Sequence, residues 1–392
     1  MKLSIVIPTL GRASLKAALD SCKDADEIVV VLDTSRGTTE LPCELPPNAV
    51  LYKGSFGVTG GHAGRLYGIQ KATGSHLAFF DDDDVYFPGA IEIMRTAAPD
   101  VPTIFRMDHH ELGVLWREPK IEFGNVSTQM YVVPNKPELF GEWTPIAPHL
   151  PQPGGDCTFI KETVEKMGGP SWREEIISIL RPPDKTIAIV TPWHNHLELA
   201  PDYFNAVSAR RTVDELIVVD NDSDPSIDGA RYRINRNAGF SYASNAGMEI
   251  ATADAVLFLN NDVYATDRTW LEKIRNALEP GVLVGAKLRF DAHGDVAGTQ
   301  LPYLDGWCLA GMREDLLELG GFDESYEEPA YYSDNDLCFR ARLQGMTLRE
   351  VRTGINHKGG ATSNANGYVL PSTVANREKY TQMVNEALGV SV

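Results

Sequence analysis

The chain repeats itself once, and that repeat limits what it can fold into more than any other feature. Ser4-Ile5-Val6-Ile7-Pro8-Thr9 near the start has a counterpart in Ile187-Ala188-Ile189-Val190-Thr191-Pro192. Each is a β-branched run ending at proline, which reads as a buried parallel strand leaving its sheet at the carboxyl end. A second strand follows in both halves, Glu27-Ile28-Val29-Val30-Val31-Leu32-Asp33 and Glu215-Leu216-Ile217-Val218-Val219-Asp220. Small residues then open a helical stretch, Gly60-Gly61-His62-Ala63-Gly64-Arg65 in one half and Asn237-Ala238-Gly239-Phe240-Ser241 in the other. The third strands end in acids or amides, Leu77-Ala78-Phe79-Phe80-Asp81-Asp82-Asp83-Asp84 against Val256-Leu257-Phe258-Leu259-Asn260-Asn261-Asp262. Asp156 stands 73 residues beyond Asp83, and Asp334 stands 72 beyond Asp262.

Four landmarks in one order imply two copies of an αβ domain. Alternating strands and helices predict a mostly parallel sheet with helices on both faces in each copy. Pro182-Pro183 cannot continue a helix, so the domains are expected at 1–183 and 184–392, the second with a C-terminal helical tail. On such sheets ligands bind outside the carboxyl ends of the strands, where Asp33, Asp81, Asp83, Asp220 and Asp262 fall.

A length of 392 residues gives each copy enough chain to bury a core. The formal net charge of −18 repels nucleic acid and anionic lipid, so no nucleic-acid partner is expected. Five scattered cysteines without a C-x-x-C pair favour reduced thiols in the cytoplasm over a disulfide framework or a zinc site. No apolar run approaches the length of a membrane span.

Asp81-Asp82-Asp83-Asp84 directly follows an apolar strand. Acid runs are usually solvated turns or helix caps. Yet carboxylates crowded at a strand end repel one another unless a cation neutralises them. Hard oxygen ligands suit Mg²⁺ or Mn²⁺, which typically share one or two carboxylates with substrate phosphates. Asn260-Asn261-Asp262 keeps one carboxylate of this kind.

The first half, with its strand-Pro-Thr, second-strand Asp and D-x-D, resembles the family 2 glycosyltransferases of the GT-A fold. The second half resembles their rhamnosyltransferase-like branch. Its motifs are Val218-Val219-Asp220-Asn221-Asp222-Ser223, Asn237-Ala238-Gly239-Phe240, Asn260-Asn261-Asp262, Gly320-Gly321-Phe322-Asp323-Glu324, Asp334-Asn335-Asp336 and His357-Lys358-Gly359-Gly360-Ala361-Thr362-Ser363. The resemblance implies a metal-dependent inverting transferase that uses a UDP-, dTDP- or GDP-sugar and Mn²⁺ or Mg²⁺. Its acceptor would be a glycan, a lipid-linked group or a protein.

Carried over by position, Asp81, Asp83, Asp262 and His357 are implied metal ligands. Asp33, Asp220 and Asn221 match the end of the second strand that holds base and ribose, and Arg65 a basic residue near the diphosphate. Pro8, Thr9, Asp82, Pro192, Asn237, Gly239, Asn260 and Asn261 complete the implied donor side. Inverting transfer needs a carboxylate to take the acceptor proton. Asp334 is the candidate in the second half and Asp156 in the first. Ser333 stands where the family pattern has glutamate before Asp334. Asp336 could instead cap a helix over 337–343, and Asp156 could be a loop residue after a Pro/Gly-rich stretch.

The first half has no histidine between Asp156 and Pro182 to match His357, while the second lacks the full acid run. Trp307 could stack an acceptor sugar, and His194 could lie near the nucleotide. Two active sites are therefore expected. The alternatives are one catalytic domain beside a binding or scaffold module, or a sugar-nucleotide nucleotidyltransferase. Against the last, neither Pro8-Thr9-Leu10-Gly11-Arg12 nor Pro192-Trp193-His194 supplies a Gly-rich phosphate loop.

Overall fold

A computed structural model describes residues 1–57, 61–110, 112–143, 155–290, 301–359 and 371–389. Gly60, Gly154 and the 360–363 end of the histidine motif lie outside the described residues. The chain forms two compact units, Met1–Pro182 and Pro183–Val392.

The first unit runs β1 (Leu3–Thr9), α1 (Leu15–Cys22), β2 (Glu27–Asp33), β3 (Ala49–Gly54), α2 (His62–Lys71), β4 (His76–Phe79), β5 (Val85–Tyr86) and α3 (Ala90–Met94). It continues through β6 (Thr103–His109), β7 (Gly113–Leu115), β8 (Tyr131–Pro134), α4 (Asp156–Met167) and β9 (Ser171–Ile179). The second unit begins β10 (Ile187–Trp193), α5 (Ala200–Val207), β11 (Glu215–Asn221), β12 (Tyr232–Ile234), α6 (Phe240–Ile250), β13 (Ala255–Leu259), β14 (Val263–Ala265) and α7 (Trp270–Ala277). Then come β15 (Val282–Gly285), β16 (Leu288–Phe290), β17 (Pro302–Leu304), β18 (Cys308–Met312), α8 (Arg313–Glu318), α9 (Ser333–Leu343), β19 (Thr347–Glu350), β20 (Ile355–His357) and the tail helix α10 (Pro371–Leu388).

The strand orders repeat. The first sheet reads β3-β2-β1-β4-β8-β6-β9-β5 and the second β12-β11-β10-β13-β18-β15-β19. In both, the first four strands are parallel. Beyond them the sheets are mixed: β8 and β18 join antiparallel, and parallel pairing returns between β6 and β9 and between β15 and β19, so each sheet is mostly parallel, as expected. A short apolar run does not carry its direction, because residues alternate faces identically either way. Each sheet is buried on both faces by separate apolar clusters, which explains the unbroken Val/Ile/Leu runs.

The helix after the second strand packs in the same way in both units. A Cβ added to Gly68 would collide with Val6 and lie 3.3 Å from Val31. One added to Gly247 would collide with Val190 and lie 3.1 Å from Val219. Glycine is what lets α2 and α6 settle directly on their strands, and this fixes where each helix begins relative to the strand ends.

The five cysteines are all free, and among the described residues no helix is long and apolar enough to cross a membrane.

Candidate active sites

At the carboxyl end of the first sheet, Pro8, Thr9, Asp33 and Asp81–Asp83 line a cavity of about 290 Å³. The acids stand together at the strand end, but they have not been left open. Asp81 accepts Gln129 Nε2 at 2.6 Å and is ion-paired with Arg65, which is only 3% exposed. Asp82 accepts Thr9 Oγ1 at 2.6 Å and Arg12 Nη1 at 3.1 Å. Asp83 Oδ2 receives Arg12 Nη1 at 2.9 Å and Arg181 Nε at 3.3 Å. Asp84 accepts the Arg181 backbone N–H at 3.0 Å, and burial with the nearby Asp81 charge pushes its pKa up to about 8. Asp33 uses Oδ1 to accept the N–H groups of Ser35 and Phe56, at 2.9 and 3.1 Å.

Carboxylate oxygens of Asp81, Asp83 and Asp84 lie within 4.8 Å of one another, close enough to share an ion. The fit fails on what already holds them. Drawing Asp81 onto a metal would pull it away from the buried Arg65 guanidinium, and breaking a buried pair typically costs about 3–5 kcal/mol. Arg12 and Arg181 would also face the new cation.

Asp156 is the first residue of α4, not a loop aspartate. Its Oδ2 accepts Ser127 Oγ, Thr128 N and Thr128 Oγ1 at 3.2, 3.3 and 2.9 Å, and its Oδ1 accepts Trp143 Nε1 at 3.2 Å. Burial works to raise its pKa, but the Arg65 charge and the Thr128 and Trp143 donors outweigh it and leave the pKa lowered. A carboxylate so supplied with donors is a weak proton acceptor.

The second unit differs at each of these points. A cavity of about 860 Å³ is lined by Asn260, Trp307, Asp334 and His357, with Phe240, Phe290, Tyr303, Tyr331 and Tyr332 around them. Helix α9 starts at Ser333, four residues before the expected 337, because Tyr332 takes a left-handed backbone (φ 76°) as its cap. That places Asp334 and Asp336 together in the first turn, where the helix dipole favours acids. Asp336 is no cap: it is buried and bonds Arg340 Nε at 2.6 Å and Tyr326 OH at 3.3 Å.

Among the described residues Asp334 accepts only backbone N–H groups, Gly306 at 2.9 Å and Asn335 at 3.0 Å. Burial, helped by the charge of Asp305, raises its pKa to about 6.

A continuous set of contacts joins Asp334 to the strand-end acid. Gly306 precedes Trp307, whose carbonyl accepts the Asn260 N–H at 2.9 Å. The Trp307 ring stacks on His357, with centroids 5.1 Å apart and 2° between planes. His357 Nε2 lies 2.8 Å from Asp262 Oδ1 and 3.4 Å from Asn260 Nδ2, and β14 pairs with β20 to hold it there. An imidazole nitrogen and a carboxylate oxygen 2.8 Å apart match neighbouring ligands on an octahedral ion with bonds of about 2.0–2.1 Å. Unlike guanidinium, neutral imidazole is itself a metal ligand. Asp262 and His357 thus offer a divalent cation two donor atoms.

Of the remaining donor-side candidates of this unit, Asn221, Asn237 and Gly239 bond to one another. Buried Asp220 accepts the N–H groups of Ser223 and Ile227 at 2.8 and 3.1 Å and pairs with Arg233 at 2.6 Å. Asn221 Nδ2 donates to Asn237 Oδ1 at 3.0 Å and to the Gly239 carbonyl at 3.3 Å, while its Oδ1 accepts the Ala238 N–H at 2.9 Å. Pro192 ends β10, and His194 Nδ1 lies 2.8 Å from the Asn221 carbonyl. Buried Asn261 sits between Asn260 and Asp262, and none of Pro192, Asp220, Asn221, Asn237, Gly239 or Asn261 lines the larger cavity.

The sequence matches the family model for "Glycosyl transferase family 2" over residues 4–148 and again over 188–322, one segment in each unit. The chain belongs to glycosyl transferase family 2. A comparison of this family 2 chain with curated proteins finds no match. Among solved structures it is similar to S. aureus TarS, at 15% identity and TM-score 0.34 over 46% of this chain and 37% of that one. TarS 1–349 in complex with UDP-GlcNAc gives 14% and 0.33 over 47% and 59%. The mannosyltransferase PcManGT from Pyrobaculum calidifontis, in complex with GDP-Man and Mn²⁺, gives 16% and 0.35 over 54% and 78%. The chain thus spans little more than a third of the first of these proteins.

Reading residue types missed Arg12, Arg181, Gln129, Thr128 and Trp143, which close the first site. Arg12 was visible three residues after Thr9. Its role depends on the turn at Gly11, and nothing local marks Arg181 as a partner of Asp83.

Proposed function

We propose that the second unit is a metal-dependent, inverting glycosyltransferase centre that moves a sugar from a UDP-, dTDP- or GDP-sugar to an acceptor hydroxyl. The observation that carries this reading is Asp334. It lies on the wall of the larger cavity with a pKa raised to about 6, in contact with the turn that carries Trp307 beside His357 and Asp262.

Asp334 takes the proton of the acceptor hydroxyl as that oxygen forms its bond to the sugar's C1. The bond from C1 to the diphosphate oxygen breaks on the opposite side, so the configuration inverts and the electron pair leaves with the nucleoside diphosphate. Asp262 and His357, with Asn260 beside them, would hold the cation, which when bound supplies charge to the leaving diphosphate. Trp307 offers a flat face to a sugar ring. The acceptor is a glycan, a lipid-linked group or a protein, and the setting is the cytoplasm.

Two active sites were expected from the repeat. The engaged acids and the well-supplied Asp156 of the first unit favour a single transferase centre, with the first unit in a binding role. The test is donor turnover by the full chain with Mn²⁺ or Mg²⁺ across a panel of nucleotide-sugars, comparing Asp262→Asn with Asp83→Asn. Turnover is expected to fall at least tenfold in Asp262→Asn and to keep its metal requirement in Asp83→Asn. Equal loss in both variants restores the two-site reading, and inactivity of the unmodified chain with every donor removes the enzymatic one.

A further inference from the structure

The acids of the first unit are arranged as a D-x-D strand end, yet three guanidinium groups stand among them. Arg65 is on Asp81, Arg12 on Asp82 and Asp83, and Arg181 on Asp83. Three guanidinium groups thus offset the charges of Asp81, Asp82 and Asp83, with Asp84 beside them. A divalent ion added there would meet positive charge already in place. That arrangement contradicts the family expectation of a metal at this motif.

The guanidinium groups also line the cavity. Arg12 and Arg181 keep side-chain exposures of 50% and 62% despite their ion pairs, and Arg36 joins them on the wall. Arg12 spends only Nη1 on Asp82 and Asp83, which leaves Nε and Nη2 to donate. Arg12 and Arg181 converge on a single oxygen, Asp83 Oδ2. Two cations crowded onto one carboxylate oxygen repel each other, and an anion of higher charge lying across both relieves that repulsion. Planar guanidinium forks match phosphate oxygens, and a pair of them suits two linked phosphates. On the same wall Asp33 keeps Oδ2 clear of the bonds its Oδ1 makes, an acceptor for a sugar hydroxyl. A volume of about 290 Å³ is at the small end for a ligand of that size.

We infer that the first unit is a metal-independent binding site for a nucleoside diphosphate, in which Arg12 and Arg181 take the part a divalent ion would otherwise play. The inference goes beyond the centre proposed for the second unit and does not depend on it.

The test is equilibrium binding of UDP, GDP and dTDP, each separately, to the full chain in excess EDTA. At least one is expected to bind at one per chain. The same binding is expected in Asp262→Asn and to weaken tenfold or more in Arg12→Gln and in Arg181→Gln. Both arginines are half exposed, so these variants are expected to fold, and an unchanged circular-dichroism spectrum checks it. In parallel, the Mn²⁺ bound per chain with the same diphosphate is counted by electron paramagnetic resonance, in the unmodified chain, Asp262→Asn and Asp83→Asn.

The inference is overturned if none of the three diphosphates binds in EDTA, or if the binding seen there is lost in Asp262→Asn but kept in both arginine variants. It is also overturned if Asp83→Asn removes a bound Mn²⁺. Finding no Mn²⁺ at all, with EDTA-resistant binding that needs Arg12 and Arg181, upholds the inference and removes the metal centre of the second unit instead.

Discussion

The first unit has four consecutive carboxylates at the end of its third strand, and the second unit has one carboxylate after two amides. Counting acids points to the first unit as the metal site. The partners point the other way. In the first unit Asp81, Asp82 and Asp83 are each joined to a guanidinium, whereas Asp262 lies against the imidazole of His357. The two equivalent aspartates differ in parallel: among the described residues Asp156 takes four hydrogen bonds, three from side chains, while Asp334 takes only backbone N–H groups. A strand end that holds its own counter-cations is finished as a piece of structure.

The sharpest way to break this comparison is to neutralise the two equivalent aspartates. Removing a general base lowers turnover by about 10²–10⁴. Asp334→Asn is expected to lose that much in steady-state transfer with donor binding unchanged. Asp156→Asn is expected to keep transfer within a few-fold. If the two variants fall together, both units turn over and the contrast drawn from hydrogen bonding is mistaken.

Next in size is the ion pair that closes the first site. Arg65→Met leaves Asp81 without its guanidinium beside three other carboxylates, and the loss of one partner of a buried pair costs about 3–5 kcal/mol. Chemical denaturation of the full chain is expected to show an early transition for the first unit while the later one stays in place. A variant that unfolds like the unmodified protein would mean that Arg65 is a bystander.

A smaller effect belongs to pH. If Asp334 is the base, its pKa of about 6 leaves it protonated and idle below that value. The expected profile of kcat/KM rises about tenfold per pH unit up to near 6 and is level above it. A profile whose acid limb lies at 4 would assign proton transfer to an ordinary exposed carboxylate.

These differences were only half visible in the sequence. The repeat was legible because β-branched runs, prolines and strand-end acids recur at matched spacing, and each of those marks a local physical demand. The four-strand parallel core follows from them. The antiparallel entry of Tyr131–Pro134 and Cys308–Met312 does not, since neither run carries its direction. At the sites, sequence placed Asp81, Asp83, Asp156, Asp262, Asp334 and His357 at plausible stations but could not say what would stand against each. Arg181 reaches Asp83 across 98 residues, and Thr128 and Trp143 reach Asp156 from separate segments. The decisive contacts are long-range, and they settle which acids are already satisfied.

The smallest prediction tests the comparison without any substrate. Asp334 has a pKa of about 6 in the folded chain against about 3.9 unfolded. Between those values the folded state binds the proton more tightly, so this residue's contribution to stability is greatest below pH 4. That contribution declines as the pH rises through 6. Asp334→Asn removes the charge that burial disfavours, and at pH 7 it is expected to stabilise the second unit by on the order of 2 kcal/mol. The gain should vanish near pH 4. For Asp156 the sign reverses, because its folded pKa is lowered by Arg65, Thr128 and Trp143 against the opposing effect of burial. Its ionised form contributes stability above the unfolded pKa and loses it as the pH falls, so Asp156→Asn should destabilise the first unit at pH 7 and less so in acid. Unfolding midpoints of both variants at pH 4 and pH 7 decide the matter. Shifts of the same sign at pH 7 would show that the two aspartates sit in equivalent environments after all, and that the contrast between a closed first site and an open second one has no electrostatic basis.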